Sequence, residues 1–497
     1  MDLEKRFRGF AVGMLEKIEE FYHERVHAMR PRPNFAPRKV NLRELMSRTI
    51  RIKKGADIRL KGRPSRQVEA GSATATYAVQ PPNYLGIVPK LEVKEGAAVQ
   101  AGSILFHSKE HPSVKFLSPV SGTVSRVLRG EKRRILSVVI DADGKGESRT
   151  FEKINLATCD AQRMKEAMAE RGFFPFVEQR PFATVANPEI HPRSIHVSGF
   201  DSAPLAPDME LVLAGREEAF QFGIKALQCL VGNDAIQVGI QPGQSTFDGI
   251  EGVETTIFDG PHPSGNVGVQ IHHTTPINKG ETVWTMHAED VANLGETLQT
   301  GTYCAKRTIS VAGSEHASPK HMTTTLGCEV QSLTGDPIDE ESVRIISGNP
   351  LTGARTEASG HLGGLHHQIC LLPEGNKPKF LLADGWLGLG LDKFSLSKSY
   401  PTWLLPKTKE FAMDTCNNGE ERAFVVTGQY EPVFPFDIYP VQLLKSILAN
   451  DIDAMEKLGI YEVAPEDFAL CEYACTSKIA VQSIVREGLD RLMKELG

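Results

Sequence analysis

The placing of glycine among branched apolar residues between 93 and 124 restricts this chain more than any other feature it carries. Val93, Gly96, Val99, Gly102 and Leu105 recur at every third residue, and Ser118-Pro119-Val120-Ser121-Gly122-Thr123-Val124 closes the unit further on. Glycine enters positive φ without steric cost, so each marks a turn, while the valines and leucines between supply a small half-barrel core. From 85 to 140 the spacing predicts short strands joined by regular glycine turns.

This pattern resembles the barrel-sandwich fold of biotinyl and lipoyl carrier domains. A carrier needs a lysine on its exposed hairpin turn, because the cofactor is attached there as an amide. Counting back from the closing motif, that position holds His111, within Glu110-His111-Pro112. Lys109 and Lys115 stand two and four residues away, which moves their side chains off the tip. The unit therefore reads as a structural module in the carrier fold, without carrier chemistry.

A length of 497 residues suggests roughly three folded units. With 40% hydrophobic and 24% charged residues, 44 Gly and 30 Pro, the composition lies near the globular average. A formal charge of −6 excludes a general affinity for nucleic acid, which needs a basic surface against the phosphates. Protein and small-molecule partners are expected instead. The longest apolar stretches, such as Leu211-Val212-Leu213-Ala214 and Phe380-Leu381-Leu382-Ala383, fall far short of the ~20 residues a spanning helix requires. Glu16, Lys17, Glu19 and Glu20 interrupt the place where a secretory signal would be apolar, so a cytoplasmic protein is expected. Eight scattered cysteines suit a reducing compartment in which thiols stay free.

Residues 1–48 place Phe7, Phe10, Ala11, Met14, Leu15, Ile18, Phe21 and Tyr22 at helical spacing, and Pro31, Pro33 and Pro37 then break the pattern. Lys and Arg outnumber Asp and Glu by 11 to 7 over the first 50 residues. This segment reads as a dispensable arm, or as a start assigned too early, ahead of the first strand-like segment Thr49-Ile50-Arg51-Ile52; contact with a membrane surface or a partner is the other reading. From about 150 to 300 helical and strand-like patterns alternate: a helix over Cys159 to Gly172, strands at Ile195-His196-Val197 and Leu211-Val212-Leu213, and a helix over Glu217 to Val231. Such alternation implies an α/β layer with a largely parallel sheet. No GxGxxG turn follows a strand there, and Gly385, Gly388 and Gly390 come in the wrong order for one. Lys306 to Gly313 and Val343 to Gly353 bracket a β-rich third unit, and the remainder from about 390 is expected to be helical, notably over Pro440 to Leu458 and Ile479 to Leu496.

The densest polar cluster runs from Asp259-Gly260-Pro261-His262 through Asn266 to Gln270-Ile271-His272-His273. Imidazole is a common zinc ligand, but no HExxH or cysteine companion is present. Adjacent His272 and His273 would point to opposite faces of a strand. His361, His366 and His367, in a run spelling HLGGLHH, lack a carboxylate at ligand spacing. No metal is expected at either place. Cys471 and Cys475 reproduce only the last CxxxC of an iron–sulfur run; the two earlier ligand positions fall on Pro465 and Phe468, and Thr476 stands where proline is usual. The pair is expected to pack as small buried thiols. No GxSxG elbow, P-loop or kinase signature offers a footing for hydrolysis or phosphoryl transfer.

Ile52-Lys53-Lys54-Gly55-Ala56-Asp57, the segment Val93 to Phe106, Val114-Lys115-Phe116 running into Ser121-Gly122-Thr123-Val124, and Gly260-Pro261-His262-Pro263 with Gly265 resemble the NqrA family, the A component of the sodium-translocating NADH:quinone oxidoreductase. The resemblance covers about 49 to 497. The order of units is also similar to that of the C component of the Rnf complex and the flavin subunit of respiratory complex I, whose nucleotide site or cluster cysteines this chain lacks. The resemblance implies an N-terminal extension (1–48), a barrel-sandwich hybrid domain (49–148), a Rossmann-like α/β domain (149–305), a β-grasp soluble-ligand-binding module (306–390) and a C-terminal helical domain like a cluster-free ferredoxin frame (391–497). It further implies a peripheral component on the cytoplasmic side of the membrane, held against the membrane-embedded B subunit, with C to F as further partners. NADH, flavins and iron centres would belong to those partners, sodium export would be driven by the whole complex, and this chain would hold no redox cofactor. Quinone is the ligand the family suggests, with His262, Asn266, His272 and His273 as the hydrogen-bond donors to test. A biotinyl-like binding module and an Rnf C-like electron-transfer component are the alternatives.

Overall fold

Four sheets and a C-terminal group of helices make up the part of the chain described by the computed structural model, residues 48–496 apart from 233–234, 336, 377–389 and 426. The helix expected within 1–48, the apolar run from Phe380, and Gly385 and Gly388 lie outside the described residues.

Thr76–Val79, Ala98–Val99, Gly122–Arg129 and Ile135–Ala142 form one antiparallel sheet, and Pro89–Leu91, Ile104–Ser108 and Lys115–Leu117 another. Gly96 and Gly102 adopt φ of +83° and +87°, as turns at those positions require. Between the sheets Leu105, Phe106, Phe116 and Val124 are buried, with the Phe106 and Phe116 rings stacked at 4.4 Å. His111 sits midway along the connection from Ile104–Ser108 to Lys115–Leu117, where a carrier would present its lysine.

The α/β layer is a seven-stranded sheet in the order Arg48–Arg51, Glu254–Asp259, Ile236–Ile240, Ile195–Ser198, Val283–His287, Val177–Arg180, Thr184–Val185. Its first five strands are parallel and its last two antiparallel. Ile195, His196 and Val197 are all buried, so both faces of the central strand are covered, as parallel sheets require. Helices Glu217–Val231, Val267–Thr274 and Ala288–Thr300 supply part of that cover, and Ala161–Glu170 packs outside Glu217–Val231. Glu217–Val231 and Ala288–Thr300 cross at Gly223 and Gly295, where a β-carbon on either glycine would overlap a backbone carbonyl of the other helix.

Three local expectations are corrected. Leu211-Val212-Leu213 is helical, within Met209–Leu213, because Asp208 caps the helix through Glu210 N and Met209, Val212 and Leu213 are buried at one-turn spacing. His272 and His273 lie on the helix Val267–Thr274 and not on a strand. The helix expected over Pro440 to Leu458 is two, Pro440–Leu448 and Ile452–Lys457, since Asn450 turns to φ +59° and Asp451 caps the second through Ala454 N.

The third sheet orders Ala354–Thr356, Val343–Ser347, Gln368–Pro373, Lys306–Ala312, Lys320–Thr325 and Val68–Ala70, with parallel and antiparallel pairs mixed. From 391 to 439 the described chain is irregular apart from the short 3-10 turn Pro401–Leu404, so helix begins at 440 and not near 390; Pro401, Pro406, Pro432 and Pro435 interrupt any longer run. Pro440–Leu448, Ala469–Ala474 and Val481–Leu496 then pack around Leu443, Leu444, Ile447, Val485 and Leu489. No helix among the described residues is long and apolar enough to cross a membrane.

Candidate functional site

Taken along the chain, Ile195–Ser198, Ile236–Ile240 and Glu254–Asp259 step outward in one direction, and Val283–His287 returns to the other side of the first. Connections leaving neighbouring strands in opposite directions open a crevice at their carboxyl ends, the usual ligand position in open α/β sheets. A cleft of about 800 Å³ lies to one side of that point, at the carboxyl ends of Ile195–Ser198, Ile236–Ile240 and Glu254–Asp259, with Phe200, Ser202, Leu205, Gln241 and Asp259 on its wall and Trp403 from the 3-10 turn among its lining. Arg59 holds that turn in place, donating to Pro406 O at 2.9 Å and Thr402 O at 3.3 Å.

His262 stands behind this wall. Its backbone N–H donates to Asp57 Oδ1 at 3.0 Å, and its carbonyl accepts from Ala56 N at 2.8 Å. Ser202 Oγ accepts from Gly265 N at 2.8 Å and shares a hydrogen bond of 3.0 Å with His262 Nδ1. Burial pushes the pKa of the ring down to about 4, which keeps it neutral.

The other three candidates face elsewhere. Asn266 begins the helix Val267–Thr274 and donates to Glu466 O at 3.4 Å. At the far end of that helix His272 accepts from Asp437 N at 3.0 Å through Nε2 and donates to Glu462 Oε2 at 2.6 Å through Nδ1. His273 Nε2 donates to Pro435 O at 2.9 Å. These bonds tie the α/β layer to the C-terminal helices, and of the four residues only His262 adjoins the cleft.

A second cluster is largely internal, and of its members only His367 is singled out by the sequence. Glu289 and Asp290 open the helix Ala288–Thr300 and are 0% and 2% exposed. Arg307, from the neighbouring sheet, brings Nη1 to 2.5 Å from Asp290 Oδ1 and Nη2 to 3.0 Å from Gly364 O. The rings of His287 and His367 stack at 3.6 Å, and His367 Nε2 faces Glu289 Oε2 at 3.6 Å. Burial pushes the Glu289 carboxyl up to about 7 and the His287 ring down to about 3. The carboxylate missing from the neighbourhood of HLGGLHH in sequence is thus supplied from a segment more than seventy residues earlier.

A larger cleft, about 1020 Å³, borders the C-terminal helices and includes Cys416 and Cys475. Cys471 and Cys475 are buried, as expected of packed thiols, and Cys475 Sγ accepts from Tyr430 Oη at 3.0 Å.

A barrel-sandwich unit with His111 at the carrier-lysine position, followed by an α/β layer with a cleft at the carboxyl ends of its strands and by a mixed sheet, defines a multidomain scaffold. Three family models match it in order: the NqrA N-terminal barrel-sandwich hybrid domain over 50–143, the NqrA second alpha/beta domain over 159–303 and the NQRA C-terminal domain over 308–358. The A component of the Na(+)-translocating NADH-quinone reductase of Pseudomonas aeruginosa is 36% identical over 451 residues, covering 90% of this chain and 100% of that protein. Those of Saccharophagus degradans and Rhodopirellula baltica are each 35% identical, covering 90% of this chain and 100% and 98% of their own lengths. The chain belongs to the NqrA family, the A component of the Na(+)-translocating NADH-quinone reductase.

Proposed function

We propose that this chain works as the A component of a complex that passes electrons from NADH to quinone and exports sodium. In this reading it is a peripheral component on the cytoplasmic side, held against the membrane-embedded B subunit, while the flavins, iron centres and NADH site lie on partners. The CxxxC pair is buried beside Tyr430 and lacks two further ligand positions, which supports a chain without an iron–sulfur cluster. The 3-2-1-4 order of the parallel strands supports a Rossmann-like assignment for 149–305. For 306–390, the mixed sheet containing Lys306–Ala312 and Val343–Ser347 supports a β-grasp assignment.

The observation that carries a role in quinone binding is the cleft at the carboxyl edge of the parallel strands, with apolar Phe200 and Leu205 beside the Ser202–His262 pair. An apolar slot with a few fixed hydrogen-bonding groups is what a quinone ring requires. Of the four donors named from sequence, His262 has the best claim, acting through Ser202. Family membership leaves the Rnf C-like alternative unfavoured.

Two measurements test this. Affinity purification of the native protein should recover the other subunits from the membrane, and recovery of the chain alone counts against the assembly. A photoreactive quinone should label peptides within 200–206 or 258–264, and labelling confined to 395–398, 416–433 or 469–482 would move the site to the other cleft.

A further inference from the structure

His367 Nε2 and Glu289 Oε2 are both buried, both without a hydrogen-bond partner, and only 3.6 Å apart. A backbone interaction with Leu365 engages the His367 ring, and Nε2 is the nitrogen left without a partner. Glu289 Oε1 is already held by Thr308 N at 2.7 Å, which leaves Oε2 as the unsatisfied oxygen. Arg307 Nη1 stands 3.6 Å from Glu289 Oε2, outside hydrogen-bond reach, so the two acceptors still face each other with no donor or cation bonded between them.

What surrounds the pair is a set of ligand atoms. His287, Asp290 and His367 each place a nitrogen or carboxylate oxygen within 4.8 Å of the others, and Glu289 Oε2 lies 3.6 Å from the His367 nitrogen of that set. We propose that His287, Asp290, His367 and Glu289 form a closed structural zinc site, pinning the junction at 287–290 to the strand that begins at Gln368. This site is separate from the quinone cleft and would stand without it.

Two imidazoles and two carboxylates are a donor set for zinc and its first-row neighbours and not for magnesium or calcium, which take oxygen. Four protein ligands leave no open position, so the role is structural and not catalytic. Zinc is redox-inert, which is compatible with a chain holding no electron carrier. Outer-shell contacts of the usual kind are present: a backbone carbonyl on His367, Thr308 N on Glu289, and Arg307 on Asp290 Oδ1. Arg307 lies between Asp290 at 2.5 Å and Glu289 Oε2 at 3.6 Å, and Arg216 pairs with Glu296 at 2.7 Å while approaching Glu289 at 3.9 Å, so three carboxylates outnumber two guanidiniums and a divalent ion meets a surplus of negative charge. Glu289 N approaches His287 Nδ1 at 3.3 Å, a long contact that ligation by either ring nitrogen would exchange.

The full chain, purified without a histidine tag and stripped with EDTA, is titrated with Co²⁺ and Zn²⁺. We expect one ion per chain, visible d–d absorption from bound Co²⁺, and a raised melting temperature with Zn²⁺. His367→Gln and His287→Gln should each weaken binding at least about tenfold, while His272→Gln leaves it unchanged. Because the buried substitutions can impair folding, the titration of the unaltered chain stands as a test by itself. No stoichiometric uptake there overturns the proposal in favour of a proton shared by Glu289 and His367. Uptake that survives both histidine substitutions overturns it in favour of another site.

Discussion

His272 Nδ1 lies 2.6 Å from Glu462 Oε2, so a ring on the α/β layer is bonded to the segment just ahead of the last two helices. Its Nε2 also accepts from Asp437 N, so both nitrogens are used inside the protein. His272→Ala should therefore cost stability, about 2 kcal/mol for the lost charge-assisted bond and its neighbour, while leaving quinone labelling intact. Urea denaturation and photolabelling, run side by side, separate these effects. Loss of labelling at unchanged stability would return His272 to the ligand site.

Gly295 is a tighter constraint. Its α-carbon lies against the Ala219 carbonyl of the crossing helix, where no side chain fits. Gly295→Ala gains helix propensity worth ~1 kcal/mol, but must push the two helices apart, an overpacking cost of about 1–3 kcal/mol or more. The net expectation is a lowered melting temperature, read by calorimetry.

A pH dependence follows from Asp467, which is fully buried against Arg180 at 3.7 Å, with Glu466 beside it and Ala464 N donating at 2.9 Å. Burial pushes its carboxyl up to about 7, the Arg180 guanidinium opposing and Glu466 adding to the rise. The folded state then binds a proton that the unfolded chain, with a pKa of ~3.9, releases. Stability from this group is full below about pH 4 and is lost as pH rises to about 7. Asp467→Asn should flatten that part of the stability-against-pH curve measured by denaturant titration. An unchanged slope would mean that Arg180 keeps the carboxyl ionised throughout.

Phe106 is fully buried and stacked on Phe116 in the barrel-sandwich core. Phe106→Ala should cost about 3–5 kcal/mol from lost burial and the cavity left behind. Hydrogen exchange should show the loss concentrated in 76–142, with the strand Ile195–Ser198 keeping its protection.

Elements with strong local signals are legible in sequence. The turns at Gly96 and Gly102 and the helix Glu217–Val231 stand where spacing places them. Leu211–Leu213 differs because three apolar residues fit strand and helix alike, and the Asp208 cap decides between them. The pair His272 and His273 differs for the same reason, a short window without a clear period.

By itself the sequence determined which family this protein belongs to. The glycine spacing, the missing carrier lysine at His111 and the incomplete cysteine run are covalent facts that need no coordinates. Which side chains share a site was decided only by the tertiary structure. The pairing of Val283–His287 with Ile195–Ser198, and of Lys306–Ala312 with Gln368–Pro373, brings Glu289, Arg307 and His367 together and leaves His272 and His273 apart from the cleft. Strand pairing is set by burial summed over a whole sheet, and no local window of residues contains that sum.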